Sequence, residues 1–168
     1  MDSKERNALI EKYAVGPAKI RAALKEVPKE ALGWRPGTAK WSVLEVVGHC
    51  ADSELVYASR IRYLVAEKEP LLIGFDQDRW TTALDYQRQP LEISLAVLQA
   101  ACAYTVPLLR KIPAEAWAKK GRHSEVGEYS PERWLKSQAE HLEIHSRQIE
   151  RNLKAWKESS RSAKASPA

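Results

Sequence analysis

The chain has 168 residues, of which 44% are hydrophobic and 29% charged, and this balance excludes the disordered and fibrous classes of protein. A chain of this length can bury a core without disulfides or a structural metal, so we expect one domain over residues 1–157. The formal net charge of +5 is spread among residues of alternating sign, which disfavours a nucleic-acid partner.

Two helices are predicted in the first third of the chain. Apolar residues recur at helical spacing over residues 2–25, which indicates the first helix. A connector containing Pro and Gly, VPKEALGWRPGTAKW, follows it. Ser42, with Glu45 three residues later, has the pattern of a capping box, and the apolar face that follows predicts a second helix over residues 43–66.

A long connection precedes the third helix. Residues 67–90 are rich in Pro, Gly and Asp, which favours a loop with one short helical turn at its centre, and connections of this length are often functional. The segment after Pro90 predicts a third helix, which Pro107 is expected to kink or restart and Pro113 to end.

The last helix has a distinct start. Ser130 followed by Pro131 offers a hydroxyl cap and then proline at the first helical position, which predicts a fourth helix as far as about Trp156. The remaining segment, residues 158–168, is rich in Ser, Ala and Lys and is expected to be a disordered tail. No strand-like alternation is evident. The pattern therefore predicts an all-α fold, a four-helix bundle with long inter-helix connections.

The chain also carries features that bear on its location. Its first residues, MDSKERN, are polar, and no stretch approaches the roughly 20 apolar residues of a membrane span, so we expect neither a secretory signal nor a membrane partner. Cys50 and Cys102 lie within helical patterns, which is typical of free thiols in a reducing compartment. These features predict a cytoplasmic protein.

Histidines on two predicted helices could bind a metal ion. His141 and His145 are one helical turn apart and therefore share a face. They belong to a polar stripe beside the apolar one, formed by Trp134, Gln138, His141, His145, Gln148 and Asn152. His49, at the border of the apolar face of the second helix, could supply a third nitrogen. Three neutral imidazoles leave coordination positions open, as catalytic sites do. The alternative is that these are ordinary core or surface histidines bonded to backbone groups.

Two blocks of the sequence resemble the signature regions of a known superfamily. They are WRPGTAKWSVLEVVGHCADSE, residues 34–54, and GRHSEVGEYSPERWLKSQAEHLEIHSRQI, residues 121–149. Together they resemble the DinB/YfiT-like superfamily of metal-dependent enzymes, over nearly the whole chain up to Trp156. The resemblance implies a four-helix bundle in which His49, His141 and His145 are the metal ligands.

Residues outside the histidine triad are candidates for the pocket. The segment GFDQDRW resembles one found in a branch of the family, as does His123 before Gly127. We expect Asp76, Asp78, Trp80 and His123 to line or cover a pocket, together with Gln148 from the polar stripe. The alternative is that the loop acids and the loop histidine are solvated surface residues.

A divalent ion on three histidines supports two reactions. It can ionise water, which gives a hydrolase with Asp52 or Glu54 as a candidate base or partner of the ligands, although Asp52 could equally be a plain helix-surface acid. It can also ionise a low-molecular-weight thiol, which gives a thiol S-transferase, an activity that the resemblance implies for some members. Zinc or nickel is the expected metal and a small molecule the expected substrate.

A non-catalytic alternative is a metal-binding or dimeric interaction protein with the same bundle. Tryptophans could form part of a homodimer face, although most are expected to anchor the core and loops; they are Trp34, Trp41, Trp80, Trp117, Trp134 and Trp156.

Overall fold

The computed structural model describes residues 1–165, and its long helices form a bundle. The α-helices are α1 (Ser3–Ala14), α2 (Gly16–Leu24), α3 (Lys29–Leu32), α4 (Val43–Ala66), α5 (Gln77–Ala83), α6 (Leu91–Lys111) and α7 (Pro131–Ala165). Short 3₁₀ turns follow α5, at Tyr86–Arg88, and α6, at Ala114–Ala118. Helices α1 and α2 together take one bundle position, and α4, α6 and α7 take the other three. The predicted four-helix bundle is therefore confirmed.

The first bundle position is held by two helices rather than the single one predicted over residues 2–25. Helix α1 ends where the N–H of Val15 donates to the carbonyl of Glu11, and α2 begins at once with Gly16 and Pro17. Proline lacks an N–H and its ring crowds the carbonyl four residues earlier, so one continuous helix cannot pass this point undisturbed. The single-helix prediction was wrong because it gave apolar spacing more weight than Pro17.

Helix α4 has the bounds that the sequence predicted. The Ser42 hydroxyl accepts a hydrogen bond from the N–H of Glu45, and the Glu45 carboxylate accepts one from the N–H of Ser42 at 2.8 Å. This confirms the capping box. Glu45 is also paired with Arg35 from the preceding connector, so the start of α4 is held from outside the helix as well.

Helix α6 runs from Leu91 to Lys111 with Pro107 inside it. By length and composition it could cross a membrane, contrary to the expectation that no stretch approaches that length. In the structure it packs against α4 and α1, and its buried face includes Leu98, Cys102 and Leu109. These contacts are those of a bundle core helix. Both cysteines are buried free thiols, as expected.

Helix α7 begins as predicted, with the Ser130 hydroxyl accepting from the N–H of Arg133 at 3.2 Å. It continues to Ala165, past the expected end near Trp156, which corrects the predicted disordered tail over residues 158–165. Those residues include Lys, Glu, Arg and Ala and no Gly or Pro, so nothing in them stops a helix. The rest of that predicted tail, residues 166–168, lies outside the described residues.

A small three-stranded sheet joins the two long connections. Strand β1 (Leu71–Leu72) pairs in parallel with β2 (Gly121–His123), which pairs antiparallel with β3 (Gly127–Tyr129). The sequence analysis predicted no strand, because segments of two or three residues are too short for alternation to be visible. The sheet fixes the connection before α7 beside the connection after α4.

Candidate metal centre

The structure brings His49, His141 and His145 together between α4 and α7. One ligand nitrogen from each lies within 4.8 Å of the other two. The Nε2 atoms of His141 and His145 are 3.2 Å apart. Two nitrogens bound tetrahedrally to one zinc ion at its usual bond length would be about 3.3 Å apart, so this pair already has the spacing of ligands.

Burial keeps the three imidazoles neutral. His49 is 3% exposed, and burial, aided by the neighbouring His145, lowers its pKa to about 3. Burial also lowers the pKa of His141, where His145 and His49 add to the effect, and the pKa of His145. A neutral imidazole has a lone pair for a metal ion, whereas a protonated one has none. The ring set is therefore ready to bind a cation near neutral pH.

Hydrogen bonds orient the rings. The Nδ1 atom of His145 lies 2.9 Å from the Gln148 amide oxygen, which can only accept, so the proton is on Nδ1 and the Nε2 lone pair faces His141. The Ser53 hydroxyl lies 3.3 Å from the His49 ring. The Nδ1 atom of His141 is buried and has no hydrogen-bond partner among the described residues. The triad is thus not a self-contained hydrogen-bond network, as satisfied core histidines would be.

Trp41 covers one side of the triad. Its ring centroid lies 4.8 Å from that of His49 and stacks at 6.5 Å on that of His145. The indole Nε1 donates to Asp78 at 2.9 Å, and the Trp41 carbonyl accepts from Asn152 at 2.8 Å. Asp78, a predicted pocket residue, therefore holds a wall of the site in place. The sequence offered one signal for the position of Trp41: it directly precedes Ser42, the N-cap of α4, which is the helix that carries His49.

The triad opens into a cavity of about 370 Å³. Its walls come from α4, α7, the loop after β1, the start of α5, and the hairpin of β2 and β3. Besides the triad, the cavity is lined by Tyr57, Arg60, Gly74, Phe75, Gln77, His123, Glu125, Val126, Tyr129, Arg133 and Ser137. A volume in the range of about 300–1,000 Å³ is typical of small-molecule sites, so the cavity can hold a small substrate beside the histidines.

The predicted pocket residues fall into two groups. His123 lines the cavity and is 6% exposed; burial and the charge of Arg60 lower its pKa. Asp76, Asp78, Trp80 and Gln148 are not among the lining residues. The Asp76 side chain instead caps α5, and the Trp80 ring packs 4.5 Å from Phe75, which does line the cavity.

The two carboxylates considered as bases have other contacts. Asp52 accepts a hydrogen bond from the Tyr86 hydroxyl at 2.6 Å, and Glu54 accepts one from the Tyr13 hydroxyl in the core. Neither lines the cavity. The geometry gives them structural partners instead of a place beside the histidines.

Sequence analysis missed Tyr57 and Arg60, although a signal was present. They follow His49 by eight and eleven residues, which is about two and three helical turns, so all three share a face of α4. Arg133 could not be found in this way, because only the folded connection brings the start of α7 to the cavity.

Sequence comparison identifies relatives of this chain in bacteria. A protein of Oceanobacillus iheyensis named "putative metal-dependent hydrolase" is 26% identical over 114 residues, which cover 68% of this chain and 66% of the relative. One of Bacillus cereus with the same name is 27% identical over 112 residues, covering 67% of this chain and 64% of the relative. The chain thus aligns with slightly less than two-thirds of these relatives' length.

Two solved structures share the fold. YfiT from Bacillus subtilis, described as "a probable metal-dependent hydrolase with an unusual four-helix bundle topology", superposes with a TM-score of 0.84 at 22% identity, covering 90% of this chain and 87% of YfiT. The four-helix bundle protein TT2238 superposes with a TM-score of 0.59 at 22% identity, covering 86% of this chain and 97% of its own. Residues 13–149 match the family model of the DinB superfamily. The chain therefore belongs to the DinB superfamily.

Proposed function

We propose that this chain is a metal-dependent hydrolase of small molecules, with a divalent ion held by His49, His141 and His145. The observation that carries the proposal is the convergence of three neutral imidazoles, two buried and that of His141 half-buried, from two helices at the wall of a substrate-sized cavity. The names of the relatives support the same class of activity. Imidazole ligands suit zinc and nickel, which are the metals we propose.

Three protein ligands would leave at least one coordination position of a divalent ion open to water or substrate. A divalent ion with three protein ligands supplies Lewis acidity, which lowers the pKa of a coordinated water or thiol toward neutrality. Gln148 keeps the proton of His145 on Nδ1, so that Nε2 remains a ligand. Trp41 packs against the rings of His49 and His145 and so helps to hold both ligands in position.

His123 supplies a hydrogen-bond donor to the cavity. Its Nδ1 accepts from the N–H of Glu125 at 3.2 Å, so the neutral ring carries its proton on Nε2. Because burial lowers the pKa of His123, the ring stays neutral at pH 7 and keeps this arrangement. A donor at this position can orient a carbonyl or phosphoryl oxygen of a substrate.

The second candidate is the thiol S-transferase, since an open coordination position accepts a thiol as readily as water.

The test is turnover by the chain loaded with zinc or nickel, measured on activated esters and on electrophiles supplied with cytosolic thiols. His145→Ala should abolish turnover, while Ile144→Ala, an exposed neighbour on α7, should retain it. Ester turnover that needs no thiol supports the hydrolase, and turnover that requires a thiol supports the transferase. If neither occurs with either metal, the non-catalytic binding protein is the better account.

A further inference from the structure

Arg60 places a buried positive charge in the wall of the cavity. It lies three turns along α4 from His49 and is 6% exposed. Arg133, in the first turn of α7, lines the same cavity. The cavity therefore has a metal-binding end and a cationic end, built on the same two helices.

The two arginines differ in burial: Arg60 is buried, whereas Arg133 is exposed and donates to the carbonyls of Val126 and Glu128. Among residues 1–165, no carboxylate oxygen lies within 4.0 Å of a guanidinium nitrogen of Arg60 or Arg133. Arg60 donates through Nη2 to the carbonyl of Ile73, and its Nε is buried with no acceptor in that part of the chain. Removing a charge from water without a counter-charge is costly, so a buried arginine of this kind indicates a missing anion.

Aromatic rings hold the two guanidinium groups in place. The Arg60 guanidinium lies 5.0 Å from the Tyr57 ring centroid and 5.8 Å from that of Phe75, and the Arg133 guanidinium lies 5.2 Å from that of Tyr129. Such contacts orient a planar guanidinium and reduce its freedom before a ligand arrives. Tyr57 also contacts the triad, with its ring centroid 5.7 Å from that of His141, so an aromatic wall connects Arg60 with the histidines.

The charge of the lining indicates the charge of the ligand. Away from the triad, the charged side chains of the lining are those of the buried Arg60 and of the exposed Arg133 and Glu125, which leaves an excess of one positive charge at this end of the cavity. A single carboxylate balances that excess, and it matches the fork of an arginine side chain. The aromatic walls suit an apolar or aromatic body attached to the carboxylate.

We propose that Arg60, assisted by Arg133, binds the carboxylate of a small organic acid whose other end faces the histidine triad. The claim that the triad reacts with this acid rests on the proposed function. The claim that the arginines bind its carboxylate does not, because the arginines are separate from the metal ligands. The carboxylate subsite sets which molecules enter the cavity, and the triad acts at the other end.

The test is calorimetric titration of the full chain with benzoate, with benzamide as the uncharged analogue and phenyl phosphate as the alternative anion. The chain is used both metal-loaded and stripped with a chelator. We expect benzoate to bind the stripped chain, more tightly than either analogue. Arg60→Met should weaken benzoate binding about tenfold or more, since hydrogen bonds between charged groups are strong. Arg62→Met is the matched control, because Arg62 lies on the same helix and donates to Ala58 and Thr105 outside the cavity.

A second variant guards against a folding defect in Arg60→Met. Arg133→Gln should also weaken benzoate binding, and helical circular dichroism identifies any variant that has not folded. The proposal is overturned if both arginine variants bind benzoate as the parent does, or if benzamide or phenyl phosphate binds as tightly. It is also overturned if benzoate binding is absent from the stripped chain or from His145→Ala. If the parent chain binds benzoate but takes up neither zinc nor nickel and turns over no substrate, the carboxylate subsite is supported and the proposed function is contradicted.

Discussion

At the scale of single residues, Gln148 determines which nitrogen of His145 is available to a metal. Replacing it with alanine removes the acceptor for Nδ1–H, so the ring can rotate or change tautomer. We expect Gln148→Ala to weaken metal affinity about 10- to 100-fold, as loss of a ligand's hydrogen-bond partner typically does. Competition with a chromophoric chelator measures this affinity. Arg147→Gln, at the exposed neighbouring position, should leave it unchanged, and equal affinity in Gln148→Ala would show that the hydrogen bond has no such role.

Glu54 is a buried carboxyl group with no cation partner in the part of the chain that the structure describes. Burial raises its pKa from 4.5 to about 7, although the hydrogen bond from Tyr13 acts the other way. The folded state therefore favours the protonated form. The stability that this group contributes is fully present below about pH 4.5 and is lost as the pH rises through about 7.

Glu54→Gln should remove this pH dependence. Between about pH 5 and about pH 8, we expect the parent chain to lose about 2–3 kcal/mol of unfolding free energy relative to the variant. Urea unfolding of both proteins at each pH measures the difference, and the titrations of other groups cancel in it. Identical pH profiles would mean that Glu54 is ionised in the folded chain.

The candidate site could be predicted only in part from individual residues. The spacing of His141 and His145 is local to one helix, and His49 lies at the edge of a recognisable apolar face. Trp41 and Arg133 reach the site through the path of the connections, which no local pattern encodes. Asp52 was a candidate because it follows His49 by three residues. Only the folded position of Tyr86 shows that the Asp52 carboxylate is already hydrogen-bonded to a hydroxyl group.

At the scale of elements, α2 approaches α7 closely at Gly16. A Cβ atom at this position would lie 2.7 Å from Cδ1 and 3.0 Å from Cβ of Leu142, which is the residue after His141. We expect Gly16→Ala to cost about 1–3 kcal/mol of stability, because a packed core resists an added methyl group. Gly37→Ala is the control, since its Cβ would find its nearest neighbour at 3.7 Å. Thermal unfolding compares them, and equal stability of the two variants would contradict the close approach.

Element boundaries were predictable where a local signal set them. The capping box of Ser42 and Glu45 fixed the start of α4, and the Ser130–Pro131 pair fixed the start of α7. The break between α1 and α2 was visible as Gly16–Pro17 but was masked by apolar spacing on both sides. The strands were not visible, because pairing of residues 71–72 with residues 122–123 depends on tertiary contact rather than on their own sequence.

At the scale of the whole molecule, the two long connections complete a site that the bundle begins. The helices supply the metal ligands and both arginines, while the sheet brings His123 and Tyr129 to the opposite wall. The four-helix bundle was predictable from helical periodicity and loop positions. The cavity was not, because it exists only after residues about fifty positions apart have paired. Self-association as a homodimer stays a prediction.

The central claim is that His49, His141 and His145 bind one divalent ion together. Its most direct test is titration of the chelator-stripped chain with zinc, in competition with a chelator of known affinity, for the parent and the three single alanine variants. We expect one tightly bound ion per parent chain and loss of tight binding in each variant, with helical content unchanged because the apolar core holds the bundle. Parent-like affinity in His49→Ala would show that α4 contributes no ligand and would contradict the claim.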